Sequence, residues 1–435
     1  MFQLKKLPNL ENFTNILLSL IPVSFMTGSL IINLNILFLI ISGIILIKKK
    51  NLVFQLNKIK LFLTIFFALI IISSIINFEI AGKENIIKSI LLIRFLILYF
   101  IIEILLVNNL LNLRKLFSIS LICTSFVSID ILIQYTFGKN ILGYEPINEN
   151  ILSGIFYDEA VAGGFIQGFF LLSFLGLLIF YNKKNFSKTF VVPVVLIHTL
   201  AIFVSTNKMP FILILFSILL LIFFSKELRI SLLICLILSI TISAIISKND
   251  ENLYQRYKSF YVKIFGKNSV NIVKDERIKL KYEKISEMNF FSQGIGSEHG
   301  LIYVFAYESF KKNMLIGNGL KSIRIHCDKK DKNKWDMCLA HPHNFHLEVL
   351  NDAGLLGYLF LTLFVLSTFL TSLKNYQYKR TFIEKSIFIF ILLNFFIVIW
   401  PLKSTGSLFA TWSGSITWLM VALTSYNLKN INLKD

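Results

Sequence analysis

The sequence predicts an all-α membrane protein with about twelve transmembrane helices and one large external loop subdomain. Hydrophobic residues make up 55% of the 435 residues and charged residues only 16%, whereas a soluble domain carries roughly 25% charged residues. Apolar runs of about 20 residues, long enough to cross a bilayer, recur along the chain. A single long polar stretch, at about residues 248–346, interrupts them.

Twelve apolar stretches are predicted as membrane spans. The first follows Lys5 and Lys6 and has no clear small-residue cleavage site, so we interpret it as an uncleaved helix. The first two spans would form a tight hairpin through Thr27, Gly28 and Ser29. In chain order the predicted spans lie at about 12–29, 31–47, 61–77, 87–107, 117–137, 161–181, 189–204, 210–225, 230–247, 347–372, 386–401 and 408–426.

These spans divide the chain into nine helices in residues 1–247, an external subdomain in residues 248–346 that carries the active-site segment, and three helices in residues 347–435. Orientation follows from the basic residues, which are enriched in cytoplasmic loops. Twenty Lys and Arg residues fall on one side, and four (Lys83, Lys139, Lys208 and Lys403) fall in short loops on the other. Both termini are therefore predicted to be cytoplasmic. Because the basic residues occupy these loops, the net charge of +19 does not indicate a nucleic-acid partner.

The segment His341–Gly357 leads from the long polar stretch into the tenth span. Pro342 suits the first turn of a helix, because its missing N–H would be unpaired there in any case. On a straight helix Gly354 lies about three turns after His343, on nearly the same face. The N–H groups and positive dipole end of this helix would favour an anionic ligand. The alternative is a polar loop with His343 as a solvated cap.

This segment resembles the signature of the O-antigen ligase and O-antigen polymerase superfamily, in which His343-Asn344 is followed after nine residues by Gly354 and after two more by Gly357. The twelve-span pattern with a late external loop is similar as well. Members are membrane glycosyltransferases that act on polyprenyl-diphosphate-linked glycans. The resemblance implies that His343 and Asn344 are catalytic. It also implies that no cofactor or metal takes part.

A second family element precedes the histidine segment. Residues 316–324 form a glycine turn followed by Lys321 and Arg324; the glycines would bring backbone N–H groups close to an anion, and the cations would add charge. The run Asn313–Gly319 resembles the family's pro-leu-x-gly-x-gly element, with Met314 in place of the usual proline. Arg324 is the preferred candidate here for binding the donor diphosphate, because arginine binds phosphate oxygens in a bidentate way.

Two further cations are candidates for the same diphosphate. Lys208 ends the run Ser205-Thr206-Asn207-Lys208 in the external loop after the seventh span. Family members often have a Ser-Arg pair there, whose arginine contacts the lipid diphosphate; Lys208 keeps the charge but loses the fork geometry. Arg256 in the long loop is the other candidate. The alternatives are an interfacial lysine at position 208 and a solvated helical face for most basic residues of the long loop.

Cys327 and Cys338 lie just before His341, in an external segment where a disulfide can form. Closing this short loop would contribute on the order of 2–3 kcal/mol. Free thiols and a zinc site with nearby histidines remain alternatives. The spacings match no common zinc pattern, and the family resemblance implies metal-independent transfer.

Arg94 and Asp130 lie inside predicted spans, where a charge is costly and usually has a reason. Arg94 precedes, and Asp130 follows, the centre of a hairpin near Asn112 by the same number of residues. They should therefore lie at the same depth, which predicts a structural ion pair. The alternative is that Arg94 faces the active-site cavity.

The resemblance implies transfer of a glycan from undecaprenyl diphosphate to a sugar hydroxyl at the periplasmic face of the bacterial inner membrane. The acceptor would be lipid A-core for an O-antigen ligase of lipopolysaccharide biosynthesis, or a second lipid-linked glycan for a polymerase. The sequence does not distinguish these two. A transporter of a lipid-linked saccharide or small anion is the alternative from another class. The polar outer loop and the lack of paired repeats do not favour it.

Overall fold

The computed structural model describes residues 10–147, 151–184, 191–265, 298–324, 341–379, 381–404 and 406–428, which form α-helices and short 3-10 helices. The predicted all-α fold is therefore confirmed. The α-helices are α1 (Leu10–Ser19), α2 (Ile21–Thr27), α3 (Ser29–Lys49), α4 (Lys58–Ile76), α5 (Phe78–Leu91), α6 (Ile93–Val107), α7 (Leu113–Phe137), α8 (Ala162–Lys184), α9 (Val191–Val204), α10 (Lys208–Phe224), α11 (Arg229–Asn249), α12 (Glu251–Phe265), α13 (Glu298–Phe310), α14 (Phe345–Tyr376), α15 (Phe382–Val398), α16 (Thr411–Leu423) and α17 (Ser425–Leu428).

Each predicted span coincides with one helix or with two consecutive helices. By length and composition, seven helices among the described residues are apolar enough to cross a membrane, and α9 and α10 are shorter apolar helices. The chain is therefore a polytopic membrane protein. The seven are Ser29–Lys49, Lys58–Ile76, Gly82–Val107, Leu113–Phe137, Ala162–Ile179, Arg229–Asn249 and Phe345–Tyr376.

The first predicted span is broken into α1 and α2, with Pro22 at the start of α2. This position is favourable for proline, because the first N–H groups of a helix have no partner within it. The chain then reverses at Gly28, whose φ of +116° favours glycine, and α3 packs against both α1 and α2. The hairpin predicted between the first two spans is therefore present.

Helix α14 is held mainly by the N-terminal half of the chain, because it packs along α4. Next to this contact, Trp418 of α16 lies in an aromatic cluster, with ring centroids 4.9 Å from Phe67 and 6.3 Å from Phe95. Burial of such rings is a large apolar contribution to packing. The start of α14 is thus fixed by helices that are remote in the sequence.

The candidate site residues that the structure describes gather at one end of the helix bundle, which we call the site end. It contains the end of α4 and the starts of α6, α8, α10, α14 and α16. Close approaches join these helices: a Cβ added at Gly163 would lie 2.5 Å from the Cβ of Asn207, and one added at Gly164 would lie 3.8 Å from the Trp412 ring. Lys208 and the start of the helix that follows His343 therefore lie at the same end of the bundle.

The predicted ion pair between Arg94 and Asp130 is wrong. Asp130 accepts hydrogen bonds from Asn140 Nδ2 (3.2 Å) and the N–H of Ile141 (2.9 Å), and the Arg94 guanidinium lies 4.7 Å from the ring centroid of Phe95. Equal depth in the membrane does not by itself make Arg94 and Asp130 neighbours. Their helices have different packing partners: α6 packs chiefly against α3 and α16, whereas α7 packs chiefly against α8 and α9.

A different buried ion pair joins two helices. Lys60 Nζ at the start of α4 lies 3.0 Å from the carboxylate of Glu103 in α6, with side-chain exposures of 4% and 13%. The same ammonium lies 5.0 Å from the ring centroid of Phe54. In the sequence, Lys60 is one of the twenty basic residues that predict the orientation, and its buried partner was not predicted.

Breaking the Lys60–Glu103 pair should destabilise the fold. Lys60→Met leaves a buried carboxylate without its partner, which costs about 3–5 kcal/mol, whereas the double variant Lys60→Met/Glu103→Leu should recover most of that loss. Thermal unfolding of the purified protein in detergent measures both.

Lys139→Met is the matched control, because it breaks an exposed pair with Glu145 (3.1 Å, exposures of 61% and 70%). It should change stability by about 0–1 kcal/mol. A double variant at 60 and 103 no more stable than Lys60→Met would contradict the prediction.

Candidate active site

Helix α14 breaks at Gly354, where φ is +65° and ψ is −168°. Only glycine adopts this conformation readily. In an unbroken helix the N–H groups of Leu355 and Leu356 would donate to the carbonyls of Asn351 and Asp352. The break leaves these four groups without their helical partners. The straight helix that would place Gly354 on the face of His343 is therefore a wrong prediction.

The loop of residues 314–319, which we call the docking loop, pairs with all four freed groups. It donates two backbone hydrogen bonds to α14 and accepts two from it, so the exchange is complete. The bonds run from Asn318 N to Asn351 O (2.7 Å), from Gly319 N to Asp352 O (3.1 Å), from Leu355 N to Met314 O (2.8 Å) and from Leu356 N to Leu315 O (3.1 Å).

Two glycines permit this backbone contact. A Cβ added at Gly317 would lie 2.5 Å from the Gly354 nitrogen, and one added at Gly354 would lie 2.4 Å from the Leu315 oxygen. Any side chain at either position would separate the loop from the helix. The glycines of both sequence elements thus serve one contact.

The end of α4 holds the docking loop from the other side. Ser73 Oγ and Ser74 Oγ accept hydrogen bonds from the N–H groups of Gly319 (3.0 Å) and Leu320 (2.9 Å). Asn77 Nδ2 donates to the carbonyl of Gly317 at 2.9 Å. The loop is therefore fixed between two membrane helices.

The predicted use of this loop's N–H groups to bind an anion is wrong. Each backbone N–H from Gly317 to Lys321 already donates to a protein acceptor: Asn313 O, Asn351 O, Asp352 O with Ser73 Oγ, Ser74 Oγ and Asp352 Oδ2, in chain order. Positive charge for a ligand must therefore come from side chains.

Cationic side chains follow the loop. Burial lowers the pKa of Lys321, and the neighbouring positive charges of Arg324 and Lys88 lower it further. Lys88 Nζ also lies 2.5 Å from Glu84. An anion bound among these cations would attract all of them and so offset their mutual repulsion. Lys88 was not identified from the sequence, because it lay at the outer end of an apolar predicted span.

Asn344 caps α14, which begins at Phe345, so Pro342 precedes the helix and does not occupy its first turn. The Oδ1 atom of Asn344 accepts from the N–H groups of His346 (3.0 Å) and Leu347 (3.1 Å). These N–H groups are therefore not available to an anion, contrary to the sequence prediction. Asn344 itself is engaged in holding the helix start.

His343 lies immediately before this cap, with a φ of +51°. Its ring centroid is 4.1 Å from that of His341. A left-handed conformation is uncommon for a residue with a side chain and indicates a position fixed by its surroundings. Because of this conformation, the chain turns at His343, just before α14 begins.

The loop between α15 and α16 wraps around the start of α14. Asn344 Nδ2 donates to the Pro401 carbonyl at 2.7 Å, and His346 Nε2 donates to the Ile399 carbonyl at 2.9 Å. Because Nε2 carries the proton, His346 Nδ1 accepts from the Tyr358 hydroxyl at 3.1 Å. Both nitrogens of His346 are thus used structurally.

Lys403 belongs to the same wrapping loop and is buried. Its Nζ donates to the Ile397 carbonyl at 2.8 Å and lies 5.3 Å from the ring centroid of Phe345, the first residue of α14. Burial lowers the pKa of Lys403 to about 7. The residue joins the end of α15 to the start of α14.

Two buried carboxylates on successive turns of α14 were missed by the sequence analysis. Glu348 accepts from Ser407 Oγ and from the N–H of Leu408 at 2.7 Å, and Asp352 accepts from the N–H of Lys321 at 2.8 Å. The available signal was a pair of acids four residues apart at the start of an apolar span. Each carboxylate holds a different loop.

Lys208 and Arg256 lie in another part of the site end. Arg256 Nη1 donates to Thr206 Oγ1 at 3.1 Å, two residues before Lys208, whose Nζ is 5.5 Å from the ring centroid of Phe260. Burial lowers the pKa of Arg256. The structure thus brings these two candidates together through α12.

The predicted disulfide between Cys327 and Cys338 lies outside the described residues. The other two cysteines, Cys123 and Cys235, are buried free thiols. Both lie within apolar helices, α7 and α11, where a free cysteine packs as a small apolar residue.

Comparison with known proteins found one matching family model, described as O-antigen ligase, over residues 190–362. The match runs from α9 through the docking loop to the kinked part of α14 and includes Lys208, Arg256, Arg324 and His343. It confirms the resemblance to the O-antigen ligase and polymerase superfamily and supports an activity of that type at a bacterial inner membrane. No curated protein matches the chain.

Gly354→Ala should disrupt the site. The positive φ at this position is strained for alanine, and the added Cβ would lie 2.4 Å from the backbone oxygen of Leu315, which cannot move freely. Destabilisation of roughly 3 kcal/mol or more is expected, visible as a lower thermal midpoint in detergent and lower membrane abundance. Gly164→Ala is the control, because its Cβ meets only Trp412 at an ordinary 3.8 Å. Equal stability of both variants would contradict the role of the kink.

Proposed function

We propose that the protein transfers a glycan from undecaprenyl diphosphate to a sugar hydroxyl, as an O-antigen ligase-like enzyme of lipopolysaccharide biosynthesis. The supporting observation is that the two family elements form one unit through the docking loop and the Gly354 kink. Ile323 packs in the same small apolar cluster as Leu347, so Lys321 and Arg324 lie against the first turns of the helix that His343 precedes.

In the proposed reaction the acceptor oxygen attacks the anomeric carbon of the glycan, and the bond between that carbon and the diphosphate oxygen breaks. His343 accepts the proton of the attacking hydroxyl. Lys321 and Arg324, with Lys88 beside them, neutralise the departing diphosphate. Following the family resemblance, no metal or nucleotide takes part.

Lys208 and Arg256 are proposed to bind the same diphosphate. Their support is the match to the family model, the shared site end, and the hydrogen bond that links Arg256 to Thr206, two residues before Lys208. Arginine suits this role because its planar fork can bind two phosphate oxygens.

The site end is proposed to face the periplasm, with both termini in the cytoplasm. The excess of basic residues on the opposite side supports this orientation. A glycan built on a lipid carrier would then meet its acceptor outside the cytoplasmic membrane.

A polymerase that joins lipid-linked repeats is the second candidate, because the same superfamily contains both activities. The lipopolysaccharide gel pattern of a deletion strain distinguishes the two. Loss of all capped core indicates a ligase, and core bearing a single repeat indicates a polymerase. An unchanged pattern, with movement of a lipid-linked glycan across proteoliposomes but no transfer, indicates a transporter instead.

Replacing His343 should abolish transfer without loss of the protein. His343→Asn is the informative variant, because asparagine tolerates the positive φ at this position better than alanine does. Glycan transfer by purified protein should fall by at least about a hundredfold, the usual contribution of a positioned general base. Near-normal transfer by both His343→Asn and His343→Ala would remove this residue from the mechanism.

Arg324 and Lys208 should act on donor binding. Each alanine variant should raise the apparent donor KM about tenfold to a hundredfold, as expected for loss of a hydrogen bond to a charged group. Lys208→Arg should be tolerated or improve activity, and Arg324→Lys should be poorer than wild type.

Donor turnover in detergent with purified lipid-linked glycan measures these variants. If both cations bind one diphosphate, the double alanine variant should depart from additivity. Wild-type donor affinity in both single alanine variants would place the diphosphate site elsewhere.

A further inference from the structure

Asp352 is fully enclosed, with 1% of its surface exposed, and lies two residues before the kink in α14. One carboxylate oxygen accepts from the N–H of Lys321 at 2.8 Å, and the other accepts from Asn351 Nδ2 at 2.8 Å. Its backbone carbonyl accepts from Ser73 Oγ at 2.8 Å and from the N–H of Gly319 at 3.1 Å.

The N–H of Lys321 is the point at which the docking loop turns toward its cations. Lys321 has a φ of +55°, a conformation that a residue with a side chain keeps only when its surroundings hold it. A 3-10 turn follows, in which the N–H of Arg324 donates to the Lys321 carbonyl at 3.0 Å. Fixing this N–H therefore fixes the backbone from which both cationic side chains project.

A carboxylate near a diphosphate would repel it, so Asp352 is not suited to touch the donor. The hydrogen bonds of its carboxylate run to protein groups, and its side chain is buried. Glu348 and Asp352 both offset part of the repulsion that Lys321 meets from Arg324 and Lys88, so charge alone does not distinguish the two acids. This arrangement describes a residue that acts through the groups it holds.

Glu348 gives a matched comparison one helical turn earlier. It is equally buried, with 2% exposure, and likewise accepts from one polar side chain and one backbone N–H. Its partners, Ser407 and Leu408, belong to the loop between α15 and α16. Two similar carboxylates on one face of α14 therefore hold two different loops.

We propose that Asp352 is a positioning residue for the donor diphosphate: by holding the N–H of Lys321, it fixes where Lys321 and Arg324 present their charges. The inference rests on the proposed glycan transfer and deepens it. It assigns the donor side of the site to Asp352 and leaves Glu348 to the other loop.

The test is steady-state kinetics in detergent, with purified lipid-linked glycan varied at saturating acceptor. Asp352→Ala should raise the donor KM about tenfold or more, because a buried N–H loses its acceptor and the cations lose their fixed direction. The acceptor KM should stay within about twofold of wild type. Asp352→Asn should restore most of the donor affinity, since its amide oxygen can still accept from the Lys321 N–H.

Glu348→Ala is the control for general damage to α14, and its donor KM should stay within about twofold of wild type. An unchanged donor KM in Asp352→Ala, or an equal rise in Glu348→Ala, would overturn the inference. Ser74→Ala provides an independent variant if Asp352→Ala does not accumulate, because it releases the Leu320 N–H of the same loop from α4. It too should raise the donor KM, and an unchanged value would count against the inference.

Failure of the proposed function has a different outcome. The wild-type protein would then transfer no lipid-linked glycan, and the inference about Asp352 would fall with it. Wild-type transfer together with an unaffected Asp352→Ala variant would leave the function standing and refute the positioning role alone.

Discussion

The exchange of four backbone hydrogen bonds between the docking loop and the kink in α14 is the constraint on which the rest of the site depends. A buried backbone group without a partner is costly, and more so among apolar helices. Helix α14 can therefore break at Gly354 only where residues 314–319 replace the lost partners. The loop in turn keeps its conformation only where the broken helix and the end of α4 accept its N–H groups.

This constraint divides the work between backbone and side chains. The backbone N–H groups from Gly317 to Lys321 and the first ones of α14 are used to build the scaffold, so a bound anion would have to be held by side chains such as Lys321, Arg324 and Lys88. Beneath them, the buried acids Glu348 and Asp352 hold the loops on either side of the histidine segment. The two acids that would repel a diphosphate are buried and bonded to protein groups, and the cations Lys321 and Arg324 that would attract it follow the docking loop.

Much of the architecture was predictable, because a membrane span can be recognised from its own residues as an apolar run of sufficient length. His343 and Gly354 were singled out by their spacing, and both lie within the residues that the family model matches; the catalytic role of His343 remains a prediction. The kink did not follow, because helical periodicity assumes an unbroken helix and a glycine is compatible with either. The Arg94–Asp130 prediction used depth alone, and depth does not determine which helices are neighbours. The partners of Lys60 and Lys321 lie far away in the chain, where no local pattern indicates them.

The contact between α4 and the docking loop also determines the stage of synthesis at which the site can form. Asn77 and Gly317 are separated by 240 positions in the chain, and the bond between them closes one of its longest loops. During synthesis from the N-terminus, α4 is complete long before the docking loop emerges. Until then the Ser74 hydroxyl can bond to Ile70 of its own helix, at 2.9 Å, and remain satisfied in the membrane. In a nascent chain, the α4 side chains that bind the docking loop are therefore in place before that loop is synthesised. The site stays incomplete until α14 is synthesised and its kink binds the loop.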